Sequence, residues 1–397
     1  MKKTPRIPVL AVVLAAAGFC ASAQEPVVHT SETLHYVVES EVSAAHAAET
    51  AARMEAMLSF FNSYLRFDLN ELPAKLRVTV FSSKKNFNSY LQSLTSQVRD
   101  DYVYLHYRTP ERCRLLAFMG SSGLDESSFM RQGFVQVLKA FIASPPLWLR
   151  EGFAVYLENS RYDPVSARVV FRENLTWLET LKALIRSPEK LIALDRMLSI
   201  DIDEARESID VFYPEAWAMV TFLAGAGERR YERALWDSIR LLSPAAPLEE
   251  NVRRIMSQAF GWIDQNAVVE SFVSYFNSRK SFRELVESGA GLFASKKFDD
   301  AEKMMLEAVS LEPERYLPYY YLGLISYERR DYPMAEYYYR TSAQMGCHEG
   351  LINYALGVNA FAAGNADTAR QYLVKAKDER SGEYRVRALE LLTELNR

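Results

Sequence analysis

The sequence predicts an α+β protein, predominantly α, in which a small sheet and a set of helices precede an α-solenoid of helix pairs. Three observations carry that prediction. Apolar residues alternate in "LRVTVFSS" (Leu76–Ser83), "YVYLHY" (Tyr102–Tyr107) and "CRLLAFMG" (Cys113–Gly120), the period of half-buried strands. After Gly120 they recur at spacings of three and four, the period of helices. Beyond Phe282 small residues return at a fixed interval: Gly289, Gly323 and Gly357 lie 34 apart, as do Ala301, Ala335 and Ala369, and Ala308, Ser342 and Ala376. With 397 residues, 49% hydrophobic and 25% charged, the chain has the composition of a globular protein with two or three domains.

The chain opens with Lys2, Lys3 and Arg6, then the apolar run Val9 to Cys20, then Ala21-Ser22-Ala23. This is the layout of a secretory signal over residues 1–23, with cleavage expected after Ala23 and a periplasmic or secreted product. An alternative would acylate Cys20, although bulky Phe19 stands where such signals carry a small residue. No later stretch has the roughly 18–20 apolar residues of a membrane helix, so no transmembrane segment is expected. Loss of the three basic leader residues moves the net charge from −4 to −7, and no Lys/Arg run offsets it, so no nucleic-acid partner is expected. Cys113 and Cys347 are far apart in sequence and read as isolated thiols rather than a disulfide framework.

The elements follow in order. Glu39 to Phe67 reads as one long amphipathic helix, with Ala45, Ala48, Ala52, Met54, Met57, Leu58, Phe61 and Leu65 as its stripe. The three strands come next, the last two separated by the turn signal Thr109-Pro110. Pro145-Pro146 breaks the following helical stretch in two, and "ARVVF" (Ala167–Phe171) reads as a short strand. Helical periodicity then marks Thr176–Ile185, Tyr213–Ala224, Tyr231–Leu242, Asn251–Phe260 and Ala267–Asn277. Residues 24–280 form one predicted domain and 281–397 three repeats, with Tyr384–Leu395 as a cap over the open end.

The repeats resemble the tetratricopeptide family. Its pattern of Leu-Gly, Ala and Ala is met by Leu322-Gly323, Ala335 and Ser342, and again by Leu356-Gly357, Ala369 and Ala376; the first unit departs at Ser288. Phe298 and Tyr332 match at the turn between helices, and Pro313, Cys347 and Ser381 share the position that ends each unit. The resemblance implies a concave face lined by the first helix of each pair. At period 34 this face carries Val286, Tyr320 and Tyr354 in one column and Phe293, Tyr327 and Phe361 in another. Such an aromatic groove suits a protein or peptide partner, or else packs against neighbouring helices. The clusters Tyr319-Tyr320-Tyr321 and Tyr337-Tyr338-Tyr339 ring their helices with phenols, and docking on the front domain is one use for them.

"PLWLREGFAVY" (Pro146–Tyr156) is similar to the second site helix of the peptidase MA-like gluzincins, Trp-Leu-x-Glu-Gly-x-Ala-x-Tyr. Trp148, Leu149, Glu151, Gly152, Ala154 and Tyr156 all match. The resemblance implies a zincin-like domain in which Glu151 takes the place of the third zinc ligand. The upstream helix, where the family has His-Glu-x-x-His, reads Gln132-Gly133-Phe134-Val135-Gln136. An amide is a poor zinc ligand beside imidazole, and Gly133 supplies no general base. There is no His between His106 and His348 to rebuild the set. No metal, no cofactor and no catalytic residues are therefore expected, and Gln132, Gly133, Gln136, Glu151 and Tyr156 are vestigial positions.

A buried Glu151 without a cation needs a partner. Arg131, the amides of Gln132 or Gln136, or a Tyr hydroxyl are better placed for this than Arg150, which belongs to a neighbouring helical position. The resemblance also implies that Cys113–Phe118 is an edge strand able to pair with an extended peptide. Together these features describe an exported, inactive peptidase-like scaffold whose groove binds a protein or peptide. One alternative is a hydrolase using Glu151, Glu158 or Asp163, although no Ser-His-Asp or Cys-His arrangement is visible in the sequence. Another is an adaptor whose front domain is only a spacer. Assembly state is left open.

Overall fold

The computed structural model describes residues 27–96, 98–378 and 382–395. The leader, Cys20 and Ser381 lie outside the described residues. The chain is α+β and predominantly α, with a small mixed sheet followed by helices that end in a solenoid-like array.

The sheet holds five strands: β1 (His29–Glu32), β2 (Tyr36–Ser40), β3 (Leu76–Phe81), β4 (Val103–Leu105) and β5 (Arg114–Phe118). Their order is β1-β2-β3-β5-β4, with β2, β3 and β5 parallel and the two outer strands antiparallel. Two strands thus precede the first helix where the sequence suggested helix from Glu39. Ser43 explains the difference, because its side chain accepts the His46 N–H and caps α1 (Ala44–Leu65) only there. The buried stripe of α1 runs through Ala47, Ala51, Met54, Met57, Leu58, Phe61 and Leu65, while Ala45, Ala48 and Ala52 face out. Alanine fits either side of a helix, so its spacing carries little information about the buried face.

Cys113–Phe118 is not an edge. The Thr109-Pro110 turn folds β4 back along the outer side of β5, so β4 holds that edge and β5 is interior. One face of the sheet packs on α1 and α3 (Glu126–Phe141) through Val38, Val78, Val80, Leu115 and Ala117. The other receives Phe87 and Leu91, which lie on a helix at 84–95 (α2).

Beyond α3 come α4 (Leu147–Leu157) and a hairpin of β6 (Arg161–Asp163) and β7 (Arg168–Val170). Next are α5 (Leu178–Ile185), α6 (Leu194–Ser199), α7 (Ile202–Glu207), α8 (Ile209–Gly225), α9 (Arg229–Arg240), α10 (Leu248–Arg254) and α11 (Gln265–Ser278). The array comprises α12 (Phe282–Ala294), α13 (Phe298–Leu311), α14 (Tyr316–Glu328), α15 (Tyr332–Gln344), α16 (Glu349–Ala362), α17 (Ala366–Asp378) and α18 (Gly382–Leu395).

The 34-residue period has a direct steric cause. A Cβ on Gly289 would lie 2.7 Å from Met305, one on Gly323 would overlap the Tyr339 ring, and one on Gly357 would lie 2.7 Å from Leu373. Met305, Tyr339 and Leu373 are themselves 34 apart, so in each pair a glycine lets the two helices close onto one large side chain. Ala301, Ala335, Ala369, Ala308, Ser342 and Ala376 are all fully buried at the same crossings. Even the turns repeat: Lys296, Arg330 and Gly364 each adopt a positive φ, donating to the carbonyls of Phe293, Tyr327 and Phe361.

The array joins the front helices through charge. Ser281 caps α12 in a capping box with Glu284. The Lys182 ammonium, from α5, bonds Glu284 at 2.7 Å and the Arg279 carbonyl. Glu179 accepts from Ser281 Oγ at 2.8 Å and Arg283 Nε at 3.0 Å.

Replacing Gly323 by Ala should destabilise the array by about 1–3 kcal/mol through overpacking. Gly291 is the control, because an added Cβ there meets nothing within 4 Å, and Ala should be tolerated with a gain of up to about 1 kcal/mol. Urea unfolding followed by far-ultraviolet circular dichroism separates the two.

Candidate functional site

The two helices that carry the ligand-like positions are built by local signals. Asp125 accepts the N–H groups of Ser127 and Ser128 and starts α3. Pro146 opens α4 after the Pro145-Pro146 break. Phe134 of α3 stacks on Phe153 of α4 with ring centroids 5.6 Å apart. Gly152 lies against the backbone of α8: a Cβ there would overlap the Ala216 carbonyl oxygen and press on Val220.

Glu151 is buried, with 9% of its surface exposed, and its charge is answered twice. Arg131 Nη2 donates to Oε2 at 3.2 Å and Arg150 Nε donates to Oε1 at 2.8 Å. Arg131 meets the expectation for a partner from α3. Arg150, expected to be less well placed, is a partner as well, because its long side chain folds back onto the adjacent carboxylate. Arg131 also lies over the Tyr213 ring, 5.0 Å from the centroid. Glu158, at the C-terminal cap of α4, accepts from Asn174 Nδ2 at 2.7 Å, and burial raises its pKa.

The glutamines do not serve Glu151. Gln132 Oε1 accepts the Tyr104 N–H of the edge strand at 3.2 Å. Fully buried Gln136 donates to the Arg77 carbonyl of β3 at 2.8 Å, and its own Oε1 finds no partner. Gly133 faces α1, where a Cβ would come 2.8 Å from Met57 Cε. Tyr156 packs between Tyr64 and Phe171, and burial raises its hydroxyl pKa well above the usual range. These residues do not fit zinc: two amides are committed to the sheet, and the one carboxylate is neutralised by two guanidinium groups. Among the described residues no group of three or more His, Cys, Asp or Glu side chains converges as a metal site.

The chain matches no protein-family model, and no curated protein matches it significantly.

Asp163 ends β6 at the hairpin turn, partly exposed, accepting from Ser166 Oγ at 2.6 Å. It is remote in role from Glu151. Two cavities stand elsewhere: one of about 610 Å³ between Asp201 and Arg253, and one of about 260 Å³ beside His35 and Glu55. The structure also holds a Cys-His pair that the sequence reading missed. The register Leu105↔Arg114 makes His106 and Cys113 the next opposed residues, with Nδ1 and Sγ 3.8 Å apart. Two strand patterns flanking a Thr-Pro turn were the signal that could have found it.

In the array the five named aromatics are all half-buried. Tyr320 meets Tyr339 at 5.9 Å, Tyr327 meets Tyr332 at 6.0 Å, and Tyr354 meets Tyr384 of α18 at 5.8 Å. Phe293 touches both Phe298 and Tyr321, the latter in the next pair. Among the described residues the tyrosine triplets make their ring contacts within the array. Tyr337 remains 60% exposed.

Glu151→Gln should cost about 2–3 kcal/mol, less than a fully buried pair because both guanidinium groups keep some water. Combining it with Arg131→Met should recover part of that loss in urea unfolding. Glu215 of α8 provides a pH test. Burial pushes its carboxyl up to about 8 from 4.5, opposed in part by the Ile192 N–H that donates to it. The folded chain therefore keeps a proton that the unfolded chain releases. The stabilisation is full below pH 4.5 and is lost as pH rises through about 8. Between pH 5 and 8 the urea midpoint of the native protein should fall relative to that of Glu215→Gln.

Proposed function

We propose that this is an exported, catalytically inactive peptidase-like protein that acts as a scaffold, binding a protein or peptide segment through the concave face of tetratricopeptide-like repeats. The observation that carries the reading is the pair of aromatic columns, Tyr320 and Tyr354 with Phe293, Tyr327 and Phe361, each half-buried along a regular array. Half-buried rings present large rigid area at little entropic cost, which is what a peptide-binding groove needs.

The inactive part of the reading rests on Glu151, whose carboxylate already serves Arg131 and Arg150. Binding at the sheet edge is disfavoured: β4 is three residues long and the Tyr104 N–H is taken by Gln132. In this reading the array is the recognition surface. Export follows from the leader, and no helix among the described residues is long and apolar enough to cross a membrane.

A peptide selected against the intact protein from a display library should bind at least about tenfold more weakly to a Tyr327→Ala, Phe361→Ala variant of unchanged circular dichroism. It should bind unchanged to Asp163→Ala. Selected peptides indifferent to the array substitutions would refute the groove, and stoichiometric zinc in protein purified without chelators would refute the inactive site.

A further inference from the structure

The loop between β4 and β5 wraps a thiol. Cys113 follows the short turn Pro110–Arg112, and its Sγ accepts the Tyr107 N–H at 3.1 Å and donates to the Tyr107 carbonyl at 3.2 Å. His106 Nδ1 stands 3.8 Å from Sγ and 3.4 Å from Tyr104 Oη. Lys139 of α3 lies within electrostatic reach of both His106 and Cys113, and Arg150 of α4 lies close to Lys139. Arg112 sits over the Tyr107 ring, 5.1 Å from its centroid. The titratable groups facing the thiol are thus an imidazole, a phenol and an ammonium, with a guanidinium behind. Cys113 is partly exposed, whereas Cys347 is buried.

We propose that Cys113 is a reactive thiol, activated by His106 and Lys139, that takes up a small thiol by exchange with a low-molecular-weight disulfide. Reactive cysteines sit in partly exposed, electropositive surroundings beside a base, and buried structural ones do not react. Partial desolvation and the nearby Lys139 hold the His106 pKa below its usual value, which favours the neutral imidazole that can accept a proton. In the step, the Cys113 proton passes to His106 Nδ1 and the thiolate attacks one sulfur of R–S–S–R. The bond from Cys113 Sγ to that sulfur forms, and the R–S–S–R bond breaks. The departing thiolate leaves with the electron pair and takes the proton from His106. Cys113 is oxidised to a mixed disulfide and the departing thiol is the reduced product. The Tyr107 N–H steadies the thiolate before attack, and the Lys139 ammonium stabilises its charge.

The test uses the full chain carrying Cys20→Ser, so that Cys113 and Cys347 are the thiols present. Dithiodipyridine should release one equivalent of thiopyridone in a fast phase, about 100-fold ahead of the second. Cys113→Ser should abolish that phase. His106→Ala, an exposed loop change, should slow it about tenfold at pH 7 and Lys139→Met several-fold. Oxidised glutathione should add one glutathionyl group to the tryptic peptide holding Cys113. A fast phase that survives Cys113→Ser would overturn the proposal. So would equal rates for both thiols, or a rate untouched by both His106→Ala and Lys139→Met in variants whose circular dichroism is native.

Discussion

The front part of the molecule depends on the contact between Gly152 and the Ala216 carbonyl, where two helix backbones meet with no side chain between them. Close approach of this kind needs glycine and locks the two helices against rotation. On either side of it Trp148, Phe153, Trp217 and Val220 are fully enclosed. With α4 fixed, Glu151 is held at the rim of the core where Arg131 of α3 can reach it. The same approach draws Glu215, the residue before Ala216, out of water, which is why its carboxyl stays protonated near neutral pH.

Polar groups elsewhere show how the protein closes its openings. An edge strand offers unpaired backbone groups to other chains, and here the Tyr104 N–H of β4 is occupied by the amide of Gln132. A helix start leaves N–H groups without partners. At α12 these are met by Ser281, which is itself held by Glu179 of α5. The first helix of the array is thereby anchored to the front helices by charge rather than by apolar area.

Much of this was legible in the sequence where side-chain period and burial coincide. The glycine interval of the array arises from packing that a linear pattern records directly, whereas Leu76–Phe81 forms the expected strand but is buried almost continuously, because both faces of the sheet are covered. The strands at His29–Glu32 and Tyr36–Ser40 were not legible, because the first is polar and borders solvent, and the pairing that defines both is non-local. The position of β4 outside β5 depends on which way a turn folds, and nothing in Cys113–Phe118 itself encodes it. At the site, the pairing of Arg131 with Glu151 followed from adjacent helices. The commitments of Gln132 and Gln136 to the sheet did not, since they depend on how α3 is rotated against β3 and β4.

Each tight glycine contact in the array, Gly289 with Met305, Gly323 with Tyr339 and Gly357 with Leu373, lies within a single helix pair. The closest glycine fit in the array is therefore internal to the unit and not shared across its boundary. A duplication or deletion of 34 residues would carry both members of such a contact together. The length of this array is accordingly open to change by recombination, while the depth of each crossing is inherited with the unit.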